Sequence, residues 1–401
     1  MKIAIVSPYF APIVGGIETY VHELARRVSQ EHDVEVYTCG QSGVMKEGNV
    51  AIHRLRAIDI KDLPFRLDIP YPIPPTLPFR LVKSGADIIH VHGHAFATTF
   101  GGALSTRILH KPLVITVHDL GIAYIDYRLI RGIRPLIDSI PVQTAINWSD
   151  VVIVQNKVTL EYVSKFHPSR IVMIPQAVDT DIFKPADREG RYITFIAARL
   201  VSLKGDEVFL RAIPGIVRAL PEARFRVVGG GARRQYLERL AAEINVKDRI
   251  EFTGSIPHEE VPKYLAEASV VVCPGVAGLL LLEAAAMRKI IVTARHDWGV
   301  EALGETAMYF PPNSPAKLAE LVVSALKSPE LRGTLAEAAY QKVVSERSWD
   351  TVAELHARLY DAICRGGLDE LPRTMSCVKR ASKSSLANFL TLGNEWVGGK
   401  P

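Results

Sequence analysis

Two charged signals in the second half of the chain have the types and spacing of an anion site. Arg199 and Lys204-Gly205 follow the apolar run Tyr192–Ile196, and Glu283 opens an alanine-rich helix after Gly278-Leu279 and three further leucines. Arginine and lysine at a strand's carboxyl end can neutralise a diphosphate. A helix start adds free backbone N–H groups and the positive end of a dipole. Together these residues suit an anionic leaving group, a nucleoside diphosphate. Its growing negative charge would be stabilised more in the transition state than in the ground state.

The first half carries uncharged candidates. Gly15-Gly16 lies between a strand and a helix, where glycine lets backbone approach a ligand, although an isolated Gly-Gly is more often a plain turn. His118 ends a buried strand on the side where such sheets bind ligands, a place where a lone histidine is also often a bonded core residue. His90, His92 and His94 alternate as residues of one strand face would. With no carboxylate or fourth ligand placed beside them, they read as lining for a ligand cleft rather than as a metal site.

The elements that must hold these residues form two similar sets. Candidate strands are Lys2–Ser7, Val34–Cys39, Ile88–His92, Leu113–His118, Val151–Gln155 and Ile171–Ile174, then Tyr192–Ile196, Arg224–Val228, Ile250–Thr253, Val270–Cys273 and Ile290–Thr293. Runs of Val and Ile without polar alternation suit parallel strands covered on both faces. Between the first two strands Ile17, Val21, Leu24, Ala25 and Val28 mark one face of a helix. The predicted class is α/β, with a join near Val178–Arg191.

Composition narrows the function classes. The 401 residues suit two domains, and 48 basic against 43 acidic residues give a net charge of +5. That excess is too small and dispersed for nucleic acid. The four cysteines show no metal-ligand or CxxC spacing, which predicts reduced thiols in a cytoplasmic protein. No run reads as a secretory signal or a membrane span. Arg128, Arg131 and Arg134, interleaved with aliphatics, suit either contact with an anionic bilayer or an internal helix with a solvated basic edge. Ile69–Pro78, with five prolines, predicts an extended loop. The Ser-, Lys- and Gly-rich tail 366–401 predicts disorder, with room for a short helix near Ser385–Leu392.

The order of several short motifs resembles the retaining glycosyltransferases of family four. They are Pro12-Ile13-Val14-Gly15-Gly16-Ile17-Glu18, Thr116-Val117-His118-Asp119, Ile174-Pro175-Gln176-Ala177-Val178-Asp179 and Phe183-Lys184-Pro185. Further on come Arg199 with Lys204-Gly205, Val227-Val228-Gly229-Gly230-Gly231, Phe252-Thr253-Gly254 and Leu282-Glu283-Ala284. The resemblance implies a GT-B fold, with two Rossmann-like parallel-sheet domains facing a cleft. It implies an N-terminal acceptor domain over 1–180, a nucleotide-sugar domain over 181–347 and a helix over 348–365 crossing back to the first domain.

The resemblance also implies transfer from a UDP- or GDP-sugar to a lipid-linked or glycan acceptor, with retention and without a metal or other cofactor. His118, Arg199 and Lys204 would be catalytic. Gly15, Gly16, Arg199, Lys204, Gly278, Leu279 and Glu283 would bind the donor, Glu283 through the ribose hydroxyls, and His92 and His94 would lie on the acceptor side. The sequence departs from the family pattern at Gly275, where a sugar-contacting glutamate is usual, and at Gln176-Ala177, Arg288-Lys289-Ile290 and Trp298-Gly299-Val300-Glu301. Those departures leave a second reading open, a binding or regulatory subunit that keeps the fold without turnover. A nicotinamide-cofactor enzyme is disfavoured, because no Gly-x-Gly-x-x-Gly follows the first strand.

Overall fold

The computed structural model describes residues 1–13, 15–59, 71–118, 141–186, 190–276 and 278–367, with the backbone alone at 377–378 and at 198–199. Arg128, Arg131 and Arg134 lie outside the described residues, as do Val14, Asp119 and the segment near Ser385–Leu392. The chain forms two compact units: residues 1–155, 159–174 and 357 onward, and residues 156–158 with 175–356.

The first unit contains β1 (Lys2–Val6), α1 (Gly16–Val28), β2 (Asp33–Cys39), β3 (Gly43–Glu47), β4 (Val50–Leu55), β5 (Ile58–Asp59), β6 (Pro72–Ile73), α2 (Leu77–Ser84), β7 (Ile88–His92) and α3 (Ala97–Leu109). It continues with β8 (Leu113–Val117), α4 (Gln143–Trp148), β9 (Val151–Val154), α5 (Lys157–Ser164), whose first two residues count with the second unit, and β10 (Ile171–Met173). The sheet runs β10-β9-β8-β7-β1-β2-β4-β3. It is parallel except for the edge strand β3, and Cys377–Val378 adds an antiparallel strand beside β10. β7, β8 and β9 are buried at every residue, as strands covered on both faces must be. The β3–β4 hairpin was not among the predicted strands. Its β3 is fully exposed, and Val44-Met45 is too short an apolar run to announce it. Within Ile69–Pro78, the described residues hold β6 and the start of α2 rather than extended chain throughout, with Pro78 in the first turn, where its missing N–H costs nothing.

The second unit holds β11 (Tyr192–Arg199), α6 (Asp206–Ala219), β12 (Phe225–Gly230), α7 (Arg234–Glu243), β13 (Ile250–Gly254), α8 (Val261–Ala266), β14 (Ala268–Cys273) and α9 (Leu280–Ala286). It ends with β15 (Ile291–Ala294), α10 (Asp297–Leu303), β16 (Met308–Phe310), α11 (Pro315–Lys327) and α12 (Pro329–Arg347). Its order β13-β12-β11-β14-β15-β16 is all parallel, the doubly wound arrangement with its topological switch between β11 and β14. Alternate residues feed opposite cores. Val227, Val270 and Val272 pack with Phe209 and Ile213 of α6, whereas Val228 and Val271 pack with Leu282 and Ala285 of α9.

The last helix, α13 (Trp349–Arg365), spans the division between the units, since its residues up to His356 count with the second and those from Ala357 with the first. In the second unit its start is anchored by the Trp349 N–H donating to the Val178 carbonyl at 3.1 Å. In the first, the buried Tyr360 hydroxyl meets His90 Nδ1 at 2.6 Å.

Candidate functional site

In the second unit the switch point gathers the charged candidates. β11 runs three residues further than predicted, with an irregular register between Ile196 and Arg199, so Arg199 ends the strand instead of following it. Its backbone pairs with Gly230 of β12, and its side chain lies outside what the structure describes. Close approach of the two strand ends requires the glycine run. A Cβ at Gly229 would stand 1.8 Å from the Ala197 carbonyl oxygen, and φ there is +134°.

Lys204 ends a single 3-10 turn, and Gly205, at φ +72°, leads into α6. This turn packs on the segment after β14. The Val276 N–H donates to the Leu203 carbonyl at 2.9 Å, and Lys204 Nζ donates to the Val276 carbonyl at 2.7 Å. The same packing accounts for Gly275. A Cβ there would lie 2.2 Å from the Leu203 oxygen, so no side chain fits unless the turn moves. The glutamate usual at this position in the resembling family is therefore sterically incompatible with this turn.

Glu283 lies in the first turn of α9 and is only 6% exposed. Its Oε1 is 2.8 Å from Nε2 of His258, which sits on the turn after β13. The hydrogen bond to Glu283 raises the His258 pKa above the usual histidine value, against the lowering effect of burial. Gly278, at φ +57°, and the half-buried Leu279 precede the helix, placing the predicted ribose ligand and its neighbours in one segment.

Sequence reasoning missed His258. It also missed Asp206, which is fully buried and receives two hydrogen bonds from Arg233, at 2.9 and 3.1 Å. The pair ties the start of α6 to the loop after β12, and only the neighbouring Arg-Arg in sequence hinted at it. A recess of about 760 Å³ lies instead at the amino ends of β11, β12 and β14, away from all these groups.

In the first unit the carboxyl end of the sheet carries rings. His90 and His92, side by side on β7, have ring centroids 4.1 Å apart. His90 Nε2 meets Thr116 Oγ1 at 2.7 Å, and His92 Nδ1 meets His118 Nε2 at 2.9 Å. One imidazole of the second pair donates and the other accepts, so the two rings hold complementary tautomers. Tyr20 of α1 presents its edge to His118 at 4.9 Å, and burial pushes its phenol pKa up, so it stays neutral. His94 does not continue the face. Gly93, at φ +84°, turns the chain, and His94 meets the Tyr162 hydroxyl at 3.2 Å. Gly15 caps α1 in extended conformation with Glu18 folded over it, a Cβ there falling 2.2 Å from Glu18 Oε2. Gly16 has open space where a Cβ would be. The structure thus brings His92 to His118 and groups Lys204 with Gly275 and Val276. Among the described residues no three His, Cys, Asp or Glu are grouped to hold a metal.

Comparison with known proteins agrees with this layout. The family model described as Glycosyltransferase Family 4 matches residues 14–182, and that described as Glycosyl transferases group 1 matches 177–342. A phosphatidylinositol N-acetylglucosaminyltransferase subunit from Arabidopsis thaliana is 27% identical over 99% of this chain and 87% of its own length. A GDP-mannose-dependent alpha-(1-6)-phosphatidylinositol monomannoside mannosyltransferase of Mycolicibacterium smegmatis is 27% identical over 73% of this chain and 80% of its own. Among solved structures, sucrose-phosphate synthase of Thermosynechococcus elongatus matches with a TM-score of 0.71 at 21% identity, over 91% of this chain and 99% of that one. Anabaena HepE in complex with UDP matches with a TM-score of 0.70 at 16% identity, over 90% and 100%. Two overlapping family models, together running from residue 14 to residue 342, and the doubly wound sheets place the chain in glycosyltransferase family four, as a transferase of GT-B fold.

Proposed function

We propose that this transferase takes a sugar from a UDP- or GDP-sugar and passes it to a lipid-linked acceptor, with retention of configuration and without a metal ion. The observation that carries the reading is the Lys204 turn, set at the switch point of a 3-2-1-4-5-6 sheet beside the segment that leads into Glu283. In this reading Arg199 and Lys204 stabilise charge on the departing diphosphate, and Glu283 accepts hydrogen bonds from the ribose hydroxyls. Backbone near Gly278 and the side chain of His118 contact the sugar, Gly15 and Gly16 admit the donor phosphates, and His92 and His94 serve the acceptor side. The leaving phosphate takes the acceptor's proton as the new glycosidic bond forms on the same face, which requires no protein carboxylate as nucleophile. The phosphatidylinositol-linked activities named for two relatives support a lipid acceptor, and with such an acceptor the protein would work at the cytoplasmic face of a membrane.

A second reading, a non-catalytic binding subunit, draws on the missing glutamate at Gly275. The steric cause of that glycine weakens it, because the turn that excludes the carboxylate is the one that positions Lys204. The deciding assay is release of nucleoside diphosphate from a panel of UDP- and GDP-sugars, with lipid and soluble acceptors supplied. Acceptor-dependent release from one donor supports transfer. Tight diphosphate binding without release from any donor supports the binding subunit.

A further inference from the structure

Of the ten large apolar side chains exposed among the described residues of the first unit, five lie on two helices, α2 and α3. On α3, Phe100, Leu104 and Ile108 recur every fourth residue, which keeps them within a narrow stripe of the helix, and all three are exposed. On α2, Phe79 is 72% exposed, with Val82 exposed one turn on. The two helices touch closely. A Cβ at Gly101 of α3 would lie 3.1 Å from the buried Leu77 side chain of α2, so the helices that carry the two apolar sets pack side by side.

Basic groups surround the stripe. Arg80 and Lys83 are exposed on α2 and Arg107 on α3, and neither helix contains an Asp or Glu. Arg107 lies over the ring of the half-buried Trp148, 5.4 Å from its centroid, and Phe100 stacks on the same ring at 6.1 Å. Aromatic and aliphatic groups flanked by cations, with an indole between them, match the chemistry of the boundary between phospholipid headgroups and acyl chains. No helix among the described residues is long and apolar enough to cross a membrane, so such contact would be interfacial.

We propose that the α2–α3 face docks the first unit onto an anionic phospholipid bilayer. It rests on the lipid-acceptor reading and gives that reading a specific surface on α2 and α3. The apolar stripe enters the headgroup region while Arg80, Lys83 and Arg107 attract anionic lipid.

The test is flotation of the full chain with phosphatidylcholine vesicles, with or without about one third phosphatidylserine. The wild type should bind the anionic vesicles and be released by salt. Reversal of Arg80, Lys83 and Arg107 to Glu should lower partitioning by roughly 100-fold, and Phe79→Ser with Ile108→Ser by about tenfold or more. These side chains are exposed, so nucleoside diphosphate titration should stay at the wild-type value and certify the fold, with thermal unfolding lowered only by the small loss of the Arg107–Trp148 contact. Vesicle binding needs neither donor nor turnover, so it can fail while the transferase reading stands, and the reverse. Wild-type protein that ignores anionic vesicles, or variants that bind them unchanged, would overturn the proposal. Self-association of the wild type that the same variants abolish would assign the face to a second copy instead.

Discussion

The carboxyl ends of the two sheets are built alike in backbone and unlike in chemistry. Each belongs to a parallel sheet with a switch point, between β1 and β7 in the first unit and between β11 and β14 in the second. In the second unit that end carries a lysine held by a backbone carbonyl, and a buried carboxylate held by a histidine. In the first, imidazoles and hydroxyls bond to one another: His90 to Thr116, His92 to His118 and His94 to Tyr162. One scaffold presents fixed charge where a diphosphate would sit, and a hydrogen-bonded ring cluster where hydroxyl groups would sit. The difference is one of side chains on similar backbone, so specificity here is written in the residues at the sheet ends rather than in the fold.

The sharpest way to break this contrast is to remove the charge. Lys204→Ala should lower turnover at saturating donor by on the order of 100-fold or more, as loss of a transition-state charge stabiliser does. Near-normal turnover in a folded Lys204→Ala protein would dissolve the contrast. Gly275→Glu, which installs the side chain usual in the family, should also fail. With its Cβ 2.2 Å from the Leu203 oxygen it should displace the turn and cost about 1–3 kcal/mol of stability in denaturant unfolding. A Gly275→Glu protein as stable as the wild type and more active would show that the turn is not fixed as described.

Much of this was legible in the sequence, for identifiable reasons. Strands buried on both faces, such as β7, β8 and β9, announce themselves as Val/Ile runs, and eleven strands in all are read to within a few residues. Lys204, Glu283 and the histidines stood out because polar groups at the ends of apolar runs are unusual. Strand β3 was not legible because none of its residues is buried, and β16 because its Met-Tyr-Phe carries no Val/Ile run and only Phe310 is buried. His258 and Asp206 were missed because their partners lie 25 and 27 positions away, and only the fold brings them together. The reason for Gly275 was also out of reach, since it depends on a contact with Leu203 across the switch point.

A smaller effect would sharpen the electrostatic half of the comparison. The folded-state pKa of His258 is raised by Glu283, so the pair contributes stability fully below the unfolded histidine pKa of about 6.5. That contribution is lost as pH rises through the raised folded value. Because His258 is well exposed, the effect is screened and modest. Melting of the wild type and of His258→Gln should therefore differ most below about pH 6.5 and converge at higher pH. A gap that does not change with pH would mean that the contact is merely steric.

Nucleoside diphosphate calorimetry on three proteins tests the division of labour most directly: the wild type, Glu283→Gln and His118→Ala. The account predicts that Glu283→Gln loses about 1–3 kcal/mol of binding free energy, the worth of charged hydrogen bonds, while His118→Ala binds the diphosphate as the wild type does and loses only sugar transfer. Unchanged affinity in Glu283→Gln, or an equal loss in both variants, would contradict it.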